Sequence, residues 1–219
     1  MIRLQNVSKT YRIKGQKTVV ADNLSLTLPS RKSIALLGRN GAGKSSLLRM
    51  IAGTMAPDRG RVISTGTISW PVGFAGSFHG DLTGAQNTRF IARIYGVDTD
   101  ELVTSVQNFA ELGPHFNLPV KTYSAGMKAR LAFGVSMGIP FDTYLVDEVT
   151  SVGDAAFRDK STEVFEERMQ ASGAIVVSHG LELVQRICEH AMVLHNGKVY
   201  YHNNVGDGIA HHRRLIRAS

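Results

Sequence analysis

Residues 38–45 read "GRNGAGKS", with an apolar run before them and a helical pattern after them. A glycine, four residues, then Gly43, Lys44 and Ser45 in that setting is the arrangement that cradles phosphate. Gly41 and Gly43 let the backbone curl until successive N–H groups face inward, and the following helix adds favourable potential for an anion. The binding stretch comprises Gly38, Arg39, Asn40, Gly41, Ala42, Gly43, Lys44, Ser45 and Ser46. Lys44 reaches the β- and γ-phosphates of a nucleotide and acts in catalysis, while the Ser45 hydroxyl holds Mg²⁺.

A hundred residues further on, "YLVDE" (144–148) ends an apolar run with two carboxylates. Asp147 is placed to hold Mg²⁺, commonly through water. Glu148 follows at the position that polarises a water for attack on the γ-phosphate. "AIVVSH" (174–179) is a second apolar run, and its last residue is His179. Parallel strands deliver their C-terminal ends to the ligand crevice. His179 is therefore assigned to touch the γ-phosphate and to orient the water or Glu148. "YSAGMKARLAFG" (123–134) is a helix start with Gly126 in its first turn. Glycine there costs about 1 kcal/mol relative to alanine, so a packing or ligand reason is needed.

These residues need a scaffold, and the pattern supplies one. "IRLQNV" and "LSLTL" read as short strands, with "KGQK" in the loop region between them. "SIALLG" (33–38) is a strand covered on both faces, "KSSLLRMIAG" a helix to Gly53, "PDRG" (57–60) a turn and "RVISTGTISW" more sheet. Residues 84–140 are mostly helical: Phe90, Ile91, Ile94 and Tyr95 share one stripe, and Leu102, Val106, Phe109 and Ala110 share another. The strand–helix alternation then resumes through "TYLVDE", "FRDKSTEVFEERMQ", "AIVVSH", "LELVQRI", "AMVLHNG" and "KVYYH". The expected fold is α/β, a single domain over 1–219. Its core comprises 1–83 and 141–219, with a mixed central sheet and an N-terminal antiparallel β portion, and 84–140 is an inserted helical subdomain. For the basic end, "HHRRLIRAS", a helix and a frayed terminus are both open, as are contact with anionic lipid and simple solvation.

Composition sets outer limits. The chain has 219 residues, 25 Lys and Arg against 18 Asp and Glu, and a formal charge of +7. That balance suits an anionic partner without choosing among nucleotide, nucleic acid and acidic lipid. Cys188 is the only cysteine, which excludes an intramolecular disulfide and fits a reducing compartment. No apolar run approaches the 18 residues of a membrane span, and "MIRLQNVSKTYR" lacks the apolar core of a signal peptide.

With these motifs assembled, the chain resembles the ATP-binding subunit of ABC transporters, a P-loop ATPase fold. "GRNGAGKS" is similar to the Walker A loop and "YLVDE" to the Walker B strand. "YSAGM" is similar to the signature motif, "SVGD" (151–154) to the D-loop, and His179 to the switch histidine. Within the family, "YSAGMKARLAFGVSM", "LTGAQNTRFIARIYG" and "VDEVTSVGD" resemble the polysaccharide-exporting branch, most of all the ATPase of the Gram-negative group 2 capsular polysaccharide exporter. The resemblance implies that Tyr11 stacks on adenine. It also implies that two copies of the chain sandwich two ATPs, with Ser124, Ala125 and Gly126 of one copy closing the site of the other. ATP and Mg²⁺ are the implied cofactors.

The implied partners are a second ATPase subunit, a dimeric multi-span membrane subunit, and periplasmic and outer-membrane export components. The implied location is peripheral, on the cytoplasmic face of the inner membrane. No nucleic acid is expected. O-antigen and teichoic acid export remain alternatives, as do a soluble non-transport ATPase acting on nucleic acid or ribosomes and a nucleotide-binding regulator without turnover. Two departures stand out. "WPVGFAGSFHGDLTG" contains no glutamine where the family's Q-loop has one, which leaves Phe74, Phe78 and His79 as candidates for coupling. Tyr123, Ala125 and Met127 replace the commoner leucine, glycine and glutamine of the signature.

Overall fold

Three apolar runs become the centre of a sheet because every residue in them can be covered. A computed structural model describes residues 1–13, 16–74, 76, 78–147, 155–178 and 180–217. In it β3 (Ser33–Leu37) and β7 (Gly173–Val177) are buried at all positions, and β6 (Thr143–Asp147) is buried at its three central ones. Together with β5 (Ile68–Pro71), β8 (His190–His195) and β9 (Lys198–His202) they make a six-stranded sheet in the order β5-β6-β7-β3-β8-β9. All neighbours are parallel except β8 and β9. The mixed sheet expected from the sequence is present.

A second sheet is antiparallel and has the order β2-β1-β4. Its strands β1 (Ile2–Ile13) and β2 (Gln16–Leu28) are far longer than the short runs "IRLQNV" and "LSLTL", and β4 spans Arg59–Ser64. Polar residues hid this length. Only one face of the hairpin meets the core, through Ile2, Leu4, Val7, Leu24 and Leu28, so the rest of the strands read as loop. Left-handed Asn6 and Asn23, with register shifts along the ladder, further break the alternation that marks a strand. Arg59 and Gly60, expected in a turn, already belong to β4.

The described residues of Met1–Pro71, Phe141–Glu148 and Met169–Ser219 form one compact unit, and those of Val72–Pro140 and Val149–Arg168 a second. The first holds both sheets, helix α1 (Lys44–Ile51), and the C-terminal helices α6 (Leu181–Ile187) and α7 (Val205–Arg217). Leu47, Leu48, Met50 and Ile51 of α1 are all buried in the core. At roughly 1.5–3 kcal/mol each, they fix where the helix begins. Of the two readings open for the basic end, residues 205–217 are helical, with Gly208 and Ile209 buried.

The second unit is helical. It contains α2 (Gly84–Tyr95), α3 (Thr99–Ala110), α4 (Ala125–Gly138) and most of α5 (Ala155–Ala171). A capping box of Thr83 and Gln86 opens α2, and the Asp98 side chain caps α3. On α3 the expected stripe holds: Leu102, Val106 and Ala110 are buried. On α2 it does not. Ile91 and Ala92 are buried, but Phe90, Ile94 and Tyr95 are exposed, Ile94 by 59%. Apolar spacing located the helix and misjudged which face is covered.

Candidate functional site: a phosphate loop and an exposed helix start

The phosphate loop is held by the strands around it. β3 feeds Gly38 directly, and its parallel neighbour β7 separates it from β6, which ends at Asp147. Two strand spacings put the loop and Asp147 about 10 Å apart along the same sheet edge. That is a span a phosphate chain and a hydrated cation can bridge. Glu148 and His179, assigned to the same edge, lie outside the described residues, as does the "SVGD" segment.

Within the loop, Gly41 and Gly43 have φ of 79° and 102°. Gly43 could not be another residue for a second reason: a Cβ there would lie 2.4 Å from Cγ1 of Val20. Gly43 also caps α1 without any side-chain hydrogen bond, and the first turn carries no acidic residue. The opening N–H groups of α1 are thus left to a ligand, and the dipole favours an anionic one. Lys44 turns its Nζ onto the Gly38 and Arg39 carbonyls, at 2.9 and 3.1 Å. Arg39, Asn40, Gly41 and Ser45 are exposed, while Ala42 and Ser46 are half-buried. The Tyr11 hydroxyl lies 3.3 Å from Ser46 Oγ and donates to Met55 Sδ at 3.1 Å, bringing an aromatic ring to the loop's rim.

This cradle fits a nucleotide polyphosphate. It also fits a cation shared with that phosphate, through the Ser45 hydroxyl and the Asp147 carboxylate. Among the described residues no group of three or more His, Cys, Asp or Glu could hold a metal by itself. A hard cation here therefore needs phosphate oxygens to complete its shell.

Sequence reasoning did not find His212 on α7. Its imidazole is held below its ordinary pKa, first by burial and then by the nearby Lys44 ammonium, with His211 adding to the effect. α7 thus reaches the neighbourhood of the loop. The neighbouring His211 exchanges a 2.9 Å hydrogen bond with His202. Burial pushes the Cys188 thiol up to about 12, so it is neutral and unreactive.

In the second unit, Ser124 is the N-cap of α4, and its Oγ accepts from the Met127 N–H at 3.2 Å. Several backbone bonds position that cap. Lys121 N donates to the Gly80 carbonyl and Val120 N to the Leu82 carbonyl, which pairs residues 119–121 with the loop before α2. Asn87, almost fully buried, fastens that loop. Its Oδ1 accepts from His79 N, and its amide donates to the carbonyls of His79, Leu82 and Thr83. Tyr123 is buried and donates to the His115 carbonyl at 2.7 Å, so its departure from leucine adds an anchor beneath the motif.

Ser124, Ala125 and Gly126 themselves are exposed. Gly126 has ordinary helical geometry, and a Cβ on it would meet only Ser124 Oγ, at 3.9 Å. Of the candidate coupling residues, Phe74 is 54% exposed and so is not core.

A family model described as "ABC transporter" matches residues 21–151. The chain belongs to the ABC transporter family. It is 48% identical over 212 residues to the polysialic acid transport ATP-binding protein KpsT of Escherichia coli, covering 95% of each chain. It is 45% identical over 217 residues to the capsule polysaccharide export ATP-binding protein CtrD of Neisseria meningitidis serogroup B, covering 98% of this chain and 100% of that one. Its fold matches a dimeric ATP-binding cassette in a post-hydrolysis state bound to ADP and Pi, with a TM-score of 0.76, 21% identity, and coverage of 94% of this chain and 99% of that one. The chain is the ATPase component of an ABC transporter. No helix among its described residues is long and apolar enough to cross a membrane.

Proposed function

We propose that this ATPase powers export of a lipid-linked capsular polysaccharide across the bacterial inner membrane, through a separate dimeric membrane subunit. Similarity to KpsT and CtrD over nearly the whole chain supports the choice of cargo. The observation that carries the mechanism is Gly126, which the chain's own packing does not require. A glycine that costs about 1 kcal/mol in a helix without an intrachain reason is suited to contact from outside. The reaction is hydrolysis of ATP to ADP and phosphate at two composite sites.

In each site the N–H groups of Gly41–Ser46 bind the phosphates and the Lys44 ammonium leaves the Gly38 and Arg39 carbonyls for phosphate oxygens. Tyr11 stacks on adenine. Ser45 and, through water, Asp147 would hold Mg²⁺, which would supply positive charge against the phosphates. Glu148 takes the proton of the attacking water, and His179 orients that water. Ser124, Ala125 and Gly126 of the second copy complete the γ-phosphate pocket with a hydroxyl, an N–H and a helix start. Because charge stabilisation is complete only in the closed dimer, ATP acts as an interfacial ligand, and hydrolysis with phosphate loss reopens it.

The helical segment 84–140 swings with this cycle. Its exposed Phe90, Ile94 and Tyr95 provide apolar surface for a cytoplasmic helix of the membrane subunit. The chain then sits peripherally on the cytoplasmic face of the inner membrane, with periplasmic and outer-membrane components completing the route.

The test is purification with the membrane subunit, reconstitution in vesicles and measurement of ATPase activity with and without lipid-linked capsular glycan. Stimulation by that glycan is expected, and stimulation only by another class of glycan would reassign the cargo. Glu148→Gln should trap an ATP-bound dimer, visible as a doubling of mass in light scattering. A variant that stays monomeric with ATP would overturn the composite site.

A further inference from the structure

The helix that carries the exposed start, α4, is fastened to α5, the helix whose sequence follows residues 148–154. Arg130 of α4 lies with its guanidinium 4.4 Å from the centroid of the Phe157 ring. Seven residues on, the Met137 carbonyl at the far end of α4 accepts from Arg168 Nη2 at 2.6 Å. Both contacts advance in the same direction along the two helices, so α4 and α5 run parallel, side by side. Their first turns, at Ser124 and at Ala155, therefore lie at the same end of the pair.

Phe157 does not drift under its cation. It is buried, and Phe109 of α3 packs against it edge-on at 5.2 Å, while Phe109 stacks on Phe133 of α4 at 5.6 Å. Lys160, one turn along α5, lies over the Phe109 ring, donates to the Phe109 carbonyl at 3.2 Å and pairs with Glu111. It thereby closes the C-terminal end of α3. Three attachments along one stripe of α5 thus join it to the helical unit, and the one nearest the two N-termini is the Arg130 stack.

We propose that Arg130 stacked on Phe157 is a positioning contact that makes α4 and α5 one rigid body, so that the Ser124–Gly126 segment and the chain leaving residues 148–154 are presented together. The inference rests on the composite-site reading. Both act through the helices they join, and neither is assigned a contact with nucleotide. Arginine suits the place because its planar guanidinium stacks on a ring face, which the compact, strongly hydrated lysine ammonium does less well.

A double-mutant cycle on the full chain, alone and with its membrane subunit, tests this. Arg130→Lys and Phe157→Leu should each lower kcat about three- to thirtyfold. Binding of a fluorescent ATP analogue to the monomer should be unchanged, and the ATP-driven dimer on a Glu148→Gln background should weaken in step with kcat. The double variant should be no slower than the slower single one, and Phe157→Tyr, which keeps the ring, should retain turnover. If Phe157→Leu does not fold, Arg130→Lys at unchanged melting temperature decides alone.

Wild-type kcat in Arg130→Lys, or effects that multiply in the double variant, overturns the proposal. Gly126→Asp separates the two layers. If it abolishes turnover while Arg130→Lys does not, only the positioning contact fails. If Gly126→Asp turns over and dimerises like wild type, the composite site fails and the positioning role fails with it.

Discussion

Helices α1 and α4 each begin on a glycine-bearing turn, and they use the glycine in opposite ways. Ahead of α1, Gly43 is left-handed, crowded by Val20 and without a side-chain cap. At the start of α4, Gly126 is helical and in open space, and Ser124 already caps the turn. The first glycine is demanded by the loop's own backbone, so the phosphate cradle is formed within one chain. The second meets nothing within 4 Å beyond a serine hydroxyl, and under the proposed composite site its reason is the nucleotide of the other subunit. On the proposed reading, what a Cβ would strike separates the glycine of the cradle built within one subunit from the glycine of the site that a second subunit completes.

The largest expected effect comes from the crowded side of this contrast. Gly43→Ala combines a forbidden φ with a clash against a buried β-branched side chain, and should cost about 2–5 kcal/mol of stability. It should also abolish ATP binding, as checked by thermal melts and nucleotide titration. Next, Gly126→Ala should raise the stability of the isolated chain by up to about 1 kcal/mol while lowering ATPase turnover at least tenfold, about 1.4 kcal/mol in the barrier. A variant that gains stability and keeps full turnover would erase the distinction between the two glycines. Ser124→Ala comes last: thermal melts should show a loss of roughly 0.5–2 kcal/mol through the lost cap, and ATPase turnover should fall less than in Gly126→Ala, since only the hydroxyl leaves the composite site. The equivalent change at α1 has no cap to remove.

Local chemistry was legible in the sequence and covered surfaces were not. "GRNGAGKS" announces itself because each residue acts through its own backbone or its own charge, and β3 because a run of four apolar residues, Ile34 to Leu37, leaves little choice. The long β1–β2 hairpin was shortened in the reading because its solvent face is polar. On α2, Phe90, Ile94 and Tyr95 looked like core because periodicity reports apolar spacing and cannot say whether the partner that covers it is in the same chain. Asn87, Tyr123 and the Arg130 stack were missed for a related reason. Asn87 and Tyr123 bond main-chain atoms four to eight residues away across a loop, and Arg130 meets a ring on another helix, so no periodic spacing points to them.

Asn87 bears on how such a subunit can diversify. All its bonds end on main-chain atoms of residues 79, 82 and 83. That part of the fastening is therefore written in backbone, while the His79 ring, which accepts from Asp81 N at 3.3 Å, and the Asp81 carboxylate, which pairs with Lys121 at 2.8 Å, add side-chain ties. Position 80 can be exchanged without redrawing the curve that leads to α2, since a Cβ there would meet only Lys121 Cβ at an ordinary 3.5 Å. A loop held largely through its backbone lets one scaffold acquire new neighbours at such a position while leaving its geometry intact.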